Sequence, residues 1–171
     1  VRGVALATAA LAATALLSLP GCDRRDRSYA GIGTYQVGKT TLADASGRCE
    51  PTDLPDGRKG TWCYLQPALT IASRPADVDL YFLGETPDAP MIELQLDVRG
   101  CEPDRLSLWL RERFGAPRTS TPTWSAWENR KLYLIAESPT DTSRCVIRVL
   151  PRSEQAEFER LRTKAGVAPA P

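Results

Sequence analysis

The sequence predicts an α+β fold: an antiparallel meander sheet packed by short helices, arranged as two tandem helix-plus-meander units and followed by a C-terminal helix. Three observations carry this. Between Met91 and Val98, Ile92, Leu94, Leu96 and Val98 alternate with Glu93, Gln95 and Asp97, a period of two that buries one sheet face and wets the other. Pro103 to Phe114 sets Leu106, Trp109, Leu110 and Phe114 at helical spacing, with proline at its start and Gly115 past its end. Elsewhere, short apolar runs alternate with turn residues, a pattern of meanders and not of βαβ crossovers.

Residues 1–21 carry one charge, Arg2, and then an apolar and small-residue run from Val4 to Leu19 broken by Thr8, Thr14 and Ser18. These are the parts of an export signal. The run is too short and too alanine-rich for a spanning helix, which wants roughly 18 to 20 strongly apolar residues. Leu19-Pro20-Gly21-Cys22 resembles the lipobox of bacterial lipoproteins, with Pro20 standing where a small or β-branched residue is usual. The resemblance implies removal of residues 1–21 and a lipid, palmitate among its acyl chains, on Cys22. The alternative is an ordinary secreted chain cut near the same place. Several buried acyl chains make a firm anchor, where one is reversible. Residues 22–30, including Asp23-Arg24-Arg25-Asp26-Arg27-Ser28, then read as a solvated tether. Asp23 directly after the cysteine resembles an inner-membrane retention signal, which places the domain on the periplasmic side and favours the inner membrane.

Cysteine count and charge agree with export. Five cysteines are an odd set for an exported chain, and assigning Cys22 to lipid leaves Cys49, Cys63, Cys101 and Cys145 for disulfides. The 22 Lys+Arg become 21 once Arg2 is removed, against 21 Asp+Glu. A neutral chain lacks the basic footprint of a nucleic-acid binder.

The domain is expected over residues 31–165. Thr61 to Leu65 and Ala68 to Ser73 read as strands split by Pro67, and Val78 to Leu83 forms a hairpin with Met91 to Val98 through the turn-rich residues 84–90. After the helix, Thr123 to Glu128, Leu132 to Glu137 and Cys145 to Leu150 are strands. Ser153 is a suitable N-cap for a last helix over 153–165, with Gly166 as its stop and a disordered tail at 166–171. The pattern repeats: a short helix from Thr40 to Gly47 opens a unit spanning 38–100, and the longer helix opens one spanning 101–151.

The helix end Phe114-Gly115-Ala116-Pro117, Trp127 on a following strand, and the hairpin Val78 to Leu83 with Ile92 to Val98 resemble small exported proteins built of helix-plus-meander units. That class holds the β-lactamase-inhibitor-protein fold and the SmpA/BamE lipoproteins. The resemblance covers roughly 75 residues and implies a fold used for protein contacts. Four cysteines allow three pairings; two per unit favours Cys49–Cys63 and Cys101–Cys145.

Catalytic motifs are few. Gly33-Thr34-Tyr35-Gln36-Val37-Gly38-Lys39-Thr40 matches the phosphate-binding spacing G-x-x-x-x-G-K-[ST], but that chemistry needs a buried strand before the loop and a helix after it. Arg27-Ser28-Tyr29-Ala30-Gly31-Ile32 is no such strand, so no nucleotide is expected; Thr40 or Thr41 caps a short helix instead. The cysteines lack C-x-x-C spacing and histidine is absent, so disulfides are expected, and neither metal nor cofactor. Without histidine the usual general base is missing too. Glu93 and Asp97 share a strand face and could pose as an acid pair. Trp62 and Tyr64 share a face, and Trp124 and Trp127 take opposite faces of their strand. These four are the candidate binding surface, since Trp and Tyr anchor interfaces. The expectation is a non-catalytic, lipid-anchored cell-envelope protein that binds another envelope protein through its sheet. A small-molecule or glycan binder using the aromatics is the alternative, and a cell-envelope hydrolase stands third.

Overall fold

A computed structural model describes residues 29–138 and 143–168. The expected signal, Cys22 and residues 22–28 of the tether lie outside them. Tyr29 and Ala30, assigned to the tether from sequence, belong to the fold. The Tyr29 ring meets Phe114 edge-on at 4.7 Å, and the Asn129 side-chain amide donates to the Tyr29 carbonyl at 2.8 Å.

A small hairpin of β1 (Gly31–Ile32) and β2 (Tyr35–Gln36) comes first. The helix expected from Thr40 to Gly47 is only a 3-10 turn, Leu42–Asp44. Thr41 precedes it, and its backbone N–H donates to the Asp44 carboxylate at 2.8 Å. Ala45 then turns extended, because too few apolar residues follow for another helical turn to bury.

Then come β3 (Arg48–Asp53), β4 (Lys59–Tyr64), β5 (Leu69–Ile71), β6 (Arg74–Leu83) and β7 (Met91–Arg99). Helix α1 (Pro103–Phe114) leads to β8 (Thr119–Ser120), β9 (Trp124–Glu128), β10 (Leu132–Glu137) and β11 (Arg144–Pro151). All pair antiparallel in one sheet of order β3-β4-β6-β7-β11-β10-β9-β8, with β5 beside β6. Two meanders thus meet through their last strands, β7 and β11, giving an α+β fold. Among the described residues only the second is preceded by an α-helix, so there the two units are not equivalent. β3 escaped the sequence reading because its Arg48–Asp53 run holds a proline and lies exposed at the sheet edge.

Each face of the sheet has its own cover. Val78, Leu80, Phe82, Leu94, Leu96, Leu134, Ile147 and Val149 pack with Leu106 and Leu110 of α1 and with Ile32 and Tyr35 of the first hairpin. On the other face α2 (Gln155–Lys164) lays Phe158 and Leu161 over Trp124, Ala126, Tyr133, Ile135 and Leu150. The Phe158 and Tyr133 rings stack at 4.1 Å. Ser153 does not cap α2; it sits inside a 3-10 turn, Arg152–Glu154, that delivers the chain from β11. Nor is the whole tail free: Val167 is buried against α2's core.

Two disulfides brace the sheet. Cys49 and Cys63 lie directly opposite each other on β3 and β4. Cys101, between β7 and α1, joins Cys145 at the start of β11. Such bonds fit an exported, non-cytoplasmic chain.

Candidate functional site

Among the described residues, helix α2 covers the β9–β10 half of its face and leaves the β4–β6–β7 half open. Register decides what stands there. Trp62 is opposite Tyr81, Asp79 opposite Gln95, and Asp77 opposite Asp97; residues directly opposite share a face. These side chains alternate with the core residues Cys63, Val78, Leu80, Leu94 and Leu96, so burying one face forces them onto the other.

Three aromatic rings form a row across the open half. Tyr64 and Trp62 are 4.6 Å apart by centroid, and Trp62 and Tyr81 stack near-parallel at 6.5 Å. All three are half-buried. The Tyr64 hydroxyl donates to Glu50 on β3 at 2.6 Å. Beyond this row Leu65 is 71% exposed with φ of 54°, a conformation that side chains with a Cβ rarely adopt.

The face is charged in a patterned way. Arg99 pairs with Asp77 through two hydrogen bonds, at 2.5 and 2.6 Å, and Arg144 donates to Asp97 at 2.8 Å. Arg148 pairs with the buried Glu93, and its Nε lies 3.4 Å from Glu137. Glu50, Asp77, Asp79, Glu93, Asp97 and Glu137 stand against Arg48, Arg99, Arg144 and Arg148 on this face. Six carboxylates against four guanidiniums leave a surplus of two negative charges. Burial pushes the Glu93 carboxyl up against the opposing pull of Arg148. Asp79 is also raised, by burial first and then by Asp77 and Asp97, while the approaching Trp62 indole works the other way.

Where the open half meets α2 there is a cavity of about 420 Å³. Tyr81, Ile92, Glu93, Gln95, Arg148 and Leu150 form its floor, the loop Asp53 to Arg58 one wall, and Glu154, Ala156, Glu157 and Arg160 the other. Ile92 reaches this side because a bulge between Tyr81 and Phe82 shifts the β6–β7 register. Arg58 ties the two walls together, pairing with the buried Glu154 at the head of α2 and with Asp56 in its own loop.

The aromatic surface expected from sequence is only partly assembled. Trp62 and Tyr64 do share the open face. Trp124 and Trp127 do not belong to any surface, being 2% and 3% exposed. Trp124 lies under α2, and Trp127 in the core on the opposite face, its indole donating to the Gly115 carbonyl at 2.8 Å. Both are removed from the binding surface for the same reason: each side of β9 is covered by a helix. Tyr81 and Asp79 were missed, although the alternation of Asp77, Asp79 and Tyr81 with Val78, Leu80 and Phe82 marks them as one face.

The catalytic readings acquire no geometry. Glu93 and Asp97 are four residues apart on one strand, about 13 Å, beyond the roughly 5 to 9.5 Å that glycosidase carboxylates require, and each is paired with an arginine. The segment Gly33 to Thr40 is a hairpin turn and strand with only a three-residue 3-10 turn after it, which offers no helix N-terminus to a phosphate. Among the described residues no group of three or more acidic or sulfur ligands could hold a metal ion.

No protein family matches the chain, and neither the curated proteins nor the solved structures give a match.

Proposed function

We propose that this chain is a lipid-anchored, non-catalytic module of the bacterial cell envelope, exported to the periplasm, tethered through Cys22 and docking another envelope protein on the open half of its sheet. The single observation that carries the docking reading is the half-face itself, which no described residue covers. Helix α2 stops short of it, and a row of three aromatics with exposed Leu65 beside it occupies the space. Half-buried Trp and Tyr give large contact area with few rotors to freeze, which suits an interface core. The surrounding carboxylates and guanidiniums form the polar rim of such a patch.

A photocrosslinking amino acid at Val146, on the open face, tests this in envelope preparations, with one at Leu108 on the outside of α1 as control. A discrete adduct from Val146 that Leu108 does not give supports docking; adducts equal from both sites, or absent from both, overturn it. The anchor is tested apart, by mass spectrometry of the mature N-terminus. Acyl mass on Cys22 is expected, and an unmodified Cys22 removes the anchor.

A second reading, a small-molecule or glycan site, is favoured by the cavity of about 420 Å³ beside Tyr81, within the size range of ligand pockets. Saturable quenching of tryptophan fluorescence by cell-wall fragments, with no adduct from Val146, would put this reading first.

A further inference from the structure

We propose that the open face takes hold of its partner through a cationic side chain, arginine in preference to lysine, laid on the Trp62 and Tyr81 rings with its charge on Asp79. This rests on the docking reading above and names the chemistry of the contact.

Asp77 has Arg99, Asp97 has Arg144 and Glu93 has Arg148. Asp79 stands among them, half-buried, and among the described residues no cation pairs with it. Its near neighbours are Trp62 on β4 and the like-charged Asp77 and Asp97. The buried indole N–H of Trp62 approaches Asp79 and favours its charged form without reaching full hydrogen-bond geometry. A carboxylate taken partly out of water beside two like charges carries a desolvation cost that, among the described residues, the Trp62 indole offsets only in part, since the carboxyl stays raised. A guanidinium from outside would supply the missing partner.

The rings next to it favour the same occupant. Trp is the strongest cation–π partner, and a cation within about 6 Å of its centroid is attracted by the ring face. Here Trp62 and Tyr81 stack near-parallel, with centroids 6.5 Å apart and rings inclined by only 15°, which offers like-oriented ring faces to a planar group beside Asp79. A guanidinium stacks flat and donates two parallel hydrogen bonds to one carboxylate, which an ammonium cannot do. The surplus of two negative charges on the face points the same way, steering a basic segment toward the site. Asp77 and Asp97 are each held by an arginine, and among the described residues no group of three or more such ligands converges to hold a metal ion, so a metal ion is the poorer fit.

The test uses the full chain and two capped probes, N-acetyl-arginine amide and its neutral near-isostere N-acetyl-citrulline amide, followed by the Trp62 indole N–H resonance. The arginine probe is expected to shift it saturably and the citrulline probe to leave it in place. Asp79→Asn should weaken the arginine response at least tenfold, while Asp79→Glu, which keeps the charge, should retain most of it. Equal responses to the two probes, or an arginine response untouched by Asp79→Asn, overturn the proposal. The Val146 crosslink separates the two readings. If Asp79→Asn leaves the adduct intact, docking stands and the cation site falls. If wild type gives no adduct but binds arginine through Asp79, the cation site stands and docking falls.

Discussion

The carboxylate of Glu93 on β7 is held by the guanidinium of Arg148 on β11, where the two meanders of the sheet meet, with side chains only 11% and 19% exposed. Both charges are held largely out of water, on the floor of the cavity beside α2. Arg148→Met is therefore expected to lower stability by about 3 to 5 kcal/mol, because it strands a buried carboxylate. The double variant Glu93→Leu with Arg148→Met should recover most of the loss, since an apolar pair removes both desolvation penalties together. Urea unfolding of the four members of this cycle measures the coupling; additive single effects would show that the pair does not act as a unit.

Asp79 sets a pH dependence of definite sign. Burial, then Asp77 and Asp97, raise its carboxyl, and Trp62 opposes them; Arg99 and Arg144 are spent on Asp77 and Asp97. Its folded pKa lies above the unfolded value of about 3.9, so the folded state holds the proton longer. The stability this confers is complete below the unfolded pKa and is lost as pH rises through the folded one. Asp79→Asn should thus gain on wild type as pH rises from the acid side to about 7. Urea titrations at several pH values read this directly, and a wild-type-to-variant difference flat in pH would contradict it. Capture of a cation runs the opposite way, fading as acid protonates Asp79.

The two disulfides should differ in weight. Cys49–Cys63 closes a separation of 14 residues and Cys101–Cys145 one of 44. Chain-entropy arguments assign about 3 kcal/mol to the shorter loop and about 4 kcal/mol to the longer. Replacing both cysteines of a pair by serine should cost more for Cys101 and Cys145, which also bind the start of α1 to β11. Denaturant midpoints of the two double variants decide it; a larger loss from the Cys49 and Cys63 pair would reverse the order.

Trp127 ties β9 to the end of α1 through its indole and the Gly115 carbonyl, 2.8 Å apart. Trp127→Phe keeps most of the apolar volume but leaves that carbonyl without this donor, at an expected cost of about 1 to 3 kcal/mol. Amide hydrogen exchange should rise first in the last turn of α1, where Gly115 donates back to Arg111. Protection lost evenly over the whole chain would argue against a local tie.

Much of the fold was legible where the signal is local. Helix α1 falls on Pro103–Phe114 as its proline, apolar spacing and Gly115 indicate, and β10 and β11 follow their apolar runs. Strands β1, β2, β3 and β8 were not read, because they are two residues long or exposed at an edge. The 3-10 turn after Thr41 carries capping signals without a helix behind them, since a cap orients an end but cannot supply the packing that sustains further turns.

The candidate site divides in the same way. That Trp62 and Tyr64 share a face, and that Glu93 and Asp97 share one, follows from a period of two. By itself, then, the sequence determined the alternation of the strands, the extent of α1 and an even set of four cysteines outside Cys22. Only the tertiary structure decided which aromatics are available, because that depends on what covers each face: α2 over Trp124, and α1 with the first hairpin over the face that holds Trp127. It also decided the partner of each charge. Glu93 and Arg148 are 55 residues apart in the chain, and nothing local brings them together. The joining of β7 to β11 does, and that pairing leaves Asp79 on the open face with two like charges beside it and, among the described residues, no cation of its own.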